Sequence, residues 1–209
     1  MSTGGTPGHR GHGSAEGNTP PVPTGAHPPI QTVDGSGRNV VQFDGVNDLL
    51  QLSGPLPALE PFSVGIVYRM RDRGDFTGII SALPPAGADH TAFWTFRNAS
   101  AASLEVELFG RSAEANQLIL SRADGGVAQV AIWACGSGTG RLRDATGSSV
   151  DSYGGSFGAP TGFVLGGRYD GAPFGYAAID VLATVGASRV LSATDQQHLI
   201  DWASARWSL

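Results

Sequence analysis

Glu105 and Glu107 stand two apart in the run Ser103-Leu104-Glu105-Val106-Glu107-Leu108. Residues at that spacing share one face of an extended strand. Two carboxylates so placed are the apparatus of acid–base or nucleophilic attack on a glycosidic bond. Leu104, Val106 and Leu108, however, supply the apolar half of an ordinary alternating strand, and on that reading the glutamates are its solvent face. The second reading is the one adopted, and no catalytic residue is assigned. Asp44 and Asp48 flank the turn Gly45-Val46-Asn47. Carboxylates at a strand end suit a hard cation such as Ca²⁺, but two are far short of the six to eight oxygens it takes. They are expected to accept backbone N–H bonds and shape the turn, and no cofactor is expected. Trp94, Tyr169, Asp170 and Tyr176 combine aromatic planes with nearby polar groups, the requirement for stacking on a sugar ring, and form the candidate glycan-binding set. Trp94 shares a strand face with Phe96, so a core role competes for it. Tyr169-Asp170-Gly171 reads as a loop.

Other chemical patterns are weaker. His9, His12 and His27 have no Cys or carboxylate in a spacing that completes a metal site. Cys135-Gly136-Ser137-Gly138 and Ser152-Tyr153-Gly154-Gly155-Ser156 are Gly/Ser loops and lack the strand–Ser–helix context of a nucleophile elbow. Arg73-Gly74-Asp75 consists of turn-forming residues at a strand exit.

Short strands separated by turn residues must position these groups. Candidate strands cover 39–43, 48–52, 62–69, 77–82, 91–97, 103–109, 117–122, 127–134, 162–166 and 177–185. Many short strands divided by Gly, Pro, Asn and Asp predict an antiparallel sandwich or barrel. One helix is predicted, over 193–207. Ser192 is its N-cap and Asp195 its N3 carboxylate, while Leu199, Ile200, Trp202, Ala203 and Trp207 recur at helical spacing. Trp202 and Trp207 are expected to anchor it to the sheets.

Residues 1–38 differ in composition from the remainder of the chain. Residues 1–30 hold seven Gly and six Pro, and the aliphatic side chains among them beyond Ala are Val22 and Ile30. Such a segment cannot bury enough apolar surface to offset its ordering entropy. Pro20-Pro21-Val22-Pro23 and Pro28-Pro29-Ile30 favour extended polyproline II. The expected organisation is an extended arm over 1–38, with those seven residues touching a partner, and a β-rich body over 39–209.

Composition excludes several classes. Of the 209 residues 15% are charged, against an average of about 25%, and the formal net charge is −5. All 13 cationic residues are Arg. An acidic chain without basic clusters is a poor match for nucleic acid. No apolar run approaches the roughly 18–20 residues that cross a bilayer, so no membrane association is expected. Cys135 stands alone, so no intrachain disulfide forms. The start, MSTGGTPGHRGHG, carries neither a charged n-region nor an apolar h-region, and assembly in a cytoplasm is expected.

The body resembles laminin-G-like, concanavalin A-like jelly-roll domains. Val40-Val41-Gln42-Phe43-Asp44-Gly45-Val46-Asn47-Asp48-Leu49-Leu50 is similar to the family's opening FDG strand pair, and Pro61-Phe62-Ser63-Val64-Gly65-Ile66-Val67-Tyr68 to its next strand. Phe163-Val164-Leu165-Gly166-Gly167 and Phe174-Gly175-Tyr176-Ala177-Ala178-Ile179-Asp180-Val181 resemble two late strands. Arg189-Val190-Leu191-Ser192-Ala193-Thr194-Asp195 resembles the entry to the closing helix, and Asp201-Trp202-Ala203-Ser204-Ala205-Arg206-Trp207 the tail of virion and bacterial members. The hairpin after the long central strand departs from the family pattern at 141–147. The resemblance implies an all-β, two-sheet antiparallel jelly roll with a C-terminal helix, of a kind that binds glycans, proteins or neighbouring subunits. Together with the arm, it leads us to expect a non-enzymatic virion structural protein of a tailed bacteriophage, assembled in bacterial cytoplasm. In that expectation it is a homo-oligomeric capsid decoration or cement protein, its arm bound to the major capsid protein or neighbouring virion subunits. The alternative is a carbohydrate-binding module or adhesin on a tail or fibre. A glycoside hydrolase ranks third.

Overall fold

The structure is a computed structural model that describes residues 27–53, 61–71, 77–83, 94–100, 103–110, 113–121, 126–152, 162–169 and 173–209. Residues 52–53, 82–83, 94–100, 103–110, 113–121, 149–152, 162, 168–169 and 173–174 are described through their backbone. Alternating apolar residues produce strands in the order β1 (Ile30–Val33), β2 (Asn39–Asp44), β3 (Leu50–Ser53), β4 (Phe62–Met70), β5 (Thr77–Leu83), β6 (Trp94–Ser100), β7 (Ser103–Gly110) and β8 (Ala113–Ser121). The chain continues through β9 (Ala128–Gly136), β10 (Thr139–Asp144), β11 (Ser148–Ser152), β12 (Gly162–Leu165), β13 (Arg168–Tyr169), β14 (Pro173–Phe174) and β15 (Ala178–Ala187) to the helix α1 (Ala193–Trp207).

Two antiparallel sheets result. One runs β1-β2-β15-β4-β9-β10-β11 and the other β3-β12-β5-β6-β7-β8, with β13 and β14 as a separate ribbon. Neighbours distant in sequence, such as β2 with β15 and β3 with β12, make the jelly-roll crossovers. The expected all-β class, two-sheet sandwich and closing helix are present. Between the sheets lie Phe43, Phe62, Ile66, Tyr68, Ile79, Trp133, Leu142, Ile179 and Val181. Phe62 meets Trp133 edge-on, with centroids 5.0 Å apart.

The centre of the seven-stranded sheet is covered on both faces. Opposite the core, α1 packs on Val67 of β4 and Val130 and Ile132 of β9 through Ile200 and Ala203, with Leu199 and Trp207 alongside. Gly65 makes this approach possible, because a Cβ there would stand 2.8 Å from the Leu199 side chain. Ser63 fixes the turn into the helix: its Oγ donates to the Arg189 carbonyl and accepts the Leu191 N–H, both at 2.9 Å. At the cap, Ser192 Oγ accepts the Asp195 N–H and Asp195 Oδ2 accepts the Ser192 N–H, closing a capping box. The helix bounds match those predicted, but Trp202 is 44% exposed and does not anchor the helix. Trp202 edge-packs on Trp207 instead, and the contact residues Gln196, Ile200 and Ala203 take the buried stripe.

Three of the described turns share one device. The Oδ1 atom of Asp34 accepts the N–H groups of Ser36 and Arg38 between β1 and β2. The Oδ1 atom of Asp144 accepts the N–H groups of Thr146 and Gly147 between β10 and β11. Asp44 does the same between β2 and β3. The 141–147 stretch, where the family pattern is blurred, is therefore a regular hairpin. Cys135-Gly136-Ser137-Gly138 proves to be the β9–β10 turn, with φ of 53° at Ser137 and 73° at Gly138.

The division at residue 38 needs correction. Ile30–Val33, expected in the arm, pairs antiparallel with Asn39–Gln42 as an edge strand of the body. Three β-branched residues, Ile30, Thr32 and Val33, before an Asp-Gly turn were enough to continue the sheet. Upstream, His27 bridges Asp48, its N–H donating to the Asn47 carbonyl at 2.8 Å. Pro28, Pro29 and Ile30 thus lie within the body, whereas Pro20, Pro21, Val22 and Pro23 lie outside the described residues.

This packing makes two outcomes testable. Gly166 has φ +89° and a Cβ there would collide with the Phe43 ring, so Gly166→Ala is expected to cost at least about 2 kcal/mol in chemical denaturation. Side-chain hydrogen bonding from Arg189, then bonds from Ser192, lower the Asp195 carboxyl pKa from 3.8 to about 2. Since the folded pKa is the lower one, this contribution is complete above the unfolded value and disappears as pH falls from about 4 to about 2. Acid titration followed by thermal melting should therefore show a smaller loss over that window in Asp195→Asn than in the native chain.

Candidate functional site

The face of the six-stranded sheet turned away from the core is not the one α1 covers. On β12, Phe163 and Leu165 pack into the core while Val164 packs on the other side with Leu49 and Tyr176. The register places Gln51 opposite Val164 and Val164 opposite Ser81. The same row continues across the sheet through Thr95, Glu107 and Gln117. The adjacent row reads Leu50, Leu165, Ile80, Phe96, Val106 and Leu118. A mainly polar row therefore lies next to an apolar one, as two-faced sheets require.

The ribbon of β13 and β14 borders the polar row. Gly166 donates to the Ile79 carbonyl, Gly78 to the Gly175 carbonyl and Ala177 to the Gly166 carbonyl, each at 2.8 to 2.9 Å. Ser81 Oγ donates to the Gly167 carbonyl at 3.0 Å. These bonds tie Gly166–Gly167 and Gly175 to β5, and Tyr176 lies half-buried against Leu49 and Val164. Val164 and Ser81 are fully buried there, and the half-buried Tyr176 is an aromatic ring on an apolar base near the register position of Gln51, an arrangement on which a sugar ring can stack.

The expected site residues are only partly gathered. Tyr169 sits on β13 opposite Pro173, on the segment that delivers Tyr176. Trp94 occupies a register position opposite Leu108 on β6, in a row alternate to that of Val164 and Ser81. Asp170 lies outside the described residues, as do His9, His12, His90 and the Arg73-Gly74-Asp75 run. Glu105 pairs in register with Arg97, and Glu107 with Thr95. Sequence reasoning missed Gln51, Ser81, Thr95 and Gln117, whose one local signal is that each is the polar member of an apolar–polar alternation.

Asp44 and Asp48 build a turn. Asp44 Oδ1 accepts the N–H groups of Val46, Asn47 and Asp48 at 2.8, 3.1 and 3.2 Å, and Asp48 Oδ2 accepts the Asp44 N–H at 2.8 Å. Burial raises the Asp44 carboxyl pKa, but the three N–H bonds and the neighbouring His27 outweigh it and hold the carboxyl below its ordinary range. Among the described residues, no three His, Cys, Asp or Glu side chains come together as a metal site. Nor is any described helix long and apolar enough to cross a membrane.

No family model matches the sequence, and no curated protein matches it either. Solved structures do share its fold. The carbohydrate-binding module CBM40 of the Ruminococcus gnavus IT-sialidase, bound to α2,3-sialyllactose, superposes with a TM-score of 0.59 at 14% identity, over 85% of this chain and 96% of that one. Tailspike protein 2 of an Escherichia coli O157:H7 bacteriophage gives 0.56 at 11% identity, over 84% of this chain and 26% of the tailspike. Trypanosoma rangeli sialidase in complex with sialic acid gives 0.57 at 14% identity, over 80% of this chain and 28% of the sialidase. The chain is a jelly-roll β-sandwich of the kind these proteins contain.

Tyr176→Ala should uncover Leu49 and Val164 and cost about 2–4 kcal/mol in urea denaturation, while Tyr176→Phe stays within about 0.5 kcal/mol of the native chain.

Proposed function

We propose that this chain is a non-enzymatic glycan-binding module, carried on a bacteriophage particle and reading glycans of the host surface. One observation carries the reading: on the outer face of the six-stranded sheet a half-buried Tyr176, packed on Leu49 and Val164, stands at one end of a register row that continues through Thr95, Glu107 and Gln117. The likeness to a carbohydrate-binding module over nearly its whole length supports it, as does the tailspike likeness for the particle. The neighbours favour this over capsid decoration, which keeps as its own support the Gly/Pro-rich N-terminal sequence and the low fraction of charged residues. Within the jelly-roll class, the FDG opening and the closing-helix motif favour the laminin-G-like type. Recognition by binding alone is part of the proposal: Glu105 and Glu107 fall in register opposite Arg97 and Thr95 within an alternating apolar–polar strand.

The test is calorimetric titration of the full chain with α2,3-sialyllactose, lactose and a panel of bacterial surface oligosaccharides. We expect saturable binding to at least one of them, lost at least tenfold in Gln51→Ala and Gln117→Ala, with melting temperatures unchanged. Absence of binding across the panel, with the chain found in a simple ratio to the shell protein of purified particles, would return the assignment to decoration.

A further inference from the structure

We propose that the edge of β1, open among the described residues, is a two-fold docking surface for a second copy of this chain. Among the described residues, β1 closes one side of the seven-stranded sheet and has β2 as its partner. Its residues Ile30 and Val33 are 66% and 57% exposed, and Gln31 is exposed between them. Beside it, the margin of the sandwich opens into a slot of about 250 Å³ whose lining includes Gln31, Val41, Leu50, Leu165, Val181 and Thr184. Every residue lining that slot is uncharged. Leu50, on the edge strand β3 of the other sheet, is 36% exposed at its lip.

Exposed sheet edges pair with other strands unless charge, proline or a bulge prevents it. The outer strand at the far side of the same sheet, β11, carries Asp151, and the far edge of the other sheet, β8, carries Glu114. β1 reads Ile-Gln-Thr-Val and carries none of these; β3, the edge across the slot, reads Leu-Gln-Leu-Ser and is likewise without charge or proline, but Tyr176 packs beside its start, on Leu49. The choice of partner rests on charge and length. The chain has a formal net charge of −5, so a contact between copies costs least where both surfaces are uncharged. Pro28-Pro29 stops β1 at one end and the Asp34 turn stops it at the other. A four-residue partner strand with the same limits fits that edge, and the β1 of another copy is one. Pairing β1 with β11 would bring Asp151 to the junction and leave a free edge to propagate a fibre. Antiparallel pairing of β1 with β1 consumes both edges and closes the assembly. It joins two seven-stranded sheets into one and brings the apolar lips of two slots together.

Sedimentation velocity of the full chain across a wide concentration range tests this. The expected result is a species of twice the chain mass that dissociates on dilution, and a double variant Ile30→Lys/Val33→Lys that stays monomeric with unchanged circular dichroism. A native chain that is monomeric throughout overturns the proposal, and so does a dimer that the double variant retains. Should the variant fail to fold, amide hydrogen exchange of the native chain decides the matter. Exchange at residues 30–33 that slows as concentration rises supports the β1 edge, and exchange independent of concentration overturns it.

Discussion

The structure depends on keeping the paired strands β4 and β9 dry on both faces. Eight of the nine residues of β9 are buried, and β4 alternates between the inter-sheet core and the ground under α1. A strand buried on both sides needs two covering layers, because backbone groups satisfied within the sheet leave only side chains to be removed from water. The six-stranded sheet is one layer. A fifteen-residue helix is the other, and it does its work because Gly65 lets it settle close and Ser63 holds the chain that enters it. Replacing a buried contact such as Ile200 with alanine would uncover β9 at a cost of about 2–5 kcal/mol.

That asymmetry leaves the two sheets with different outer faces. The helix covers the centre of one, while on the other the residues around Gly166–Gly167 and Tyr176 cover Val164 and Ser81, and the register row continues from there through Thr95, Glu107 and Gln117. The turns complete the arrangement. Asp34, Asp44 and Asp144 each spend one carboxylate oxygen on backbone N–H groups, so aspartates that resemble chemical groups in the sequence prove to be hinges of the strand order. The paired Arg69 and Arg71 hold the buried Asp180 in the same spirit, at 3.5 and 3.0 Å, and tie β4 to β15.

Strand alternation and the Ser192–Asp195 cap were legible because each is local: period two and the capping box reside within a few residues. β10 and β11 were not, since Arg141, Arg143 and Asp151 dilute their apolar pattern and the strands are held by cross-strand partners instead. β1 was hidden by the prolines before it. Trp202 misled because size suggests burial, whereas helical geometry sets it beside the buried stripe of Gln196, Ile200 and Ala203. The candidate site was half legible. Tyr176 stood out as an aromatic in a glycine-rich stretch, but Gln51, Ser81, Thr95, Glu107 and Gln117 belong to five strands whose alignment is decided by register, and no single stretch of sequence contains it.

Cys135 lies near the end of the most protected strand, in register with Phe62 and fully enclosed. Because the sequence holds one cysteine, every molecule carries a single thiol that solvent reaches when β9 comes apart. Its rate of alkylation then reports the opening of the sandwich without any engineered probe. The chain thus contains its own clock for structural failure, read one covalent event per molecule.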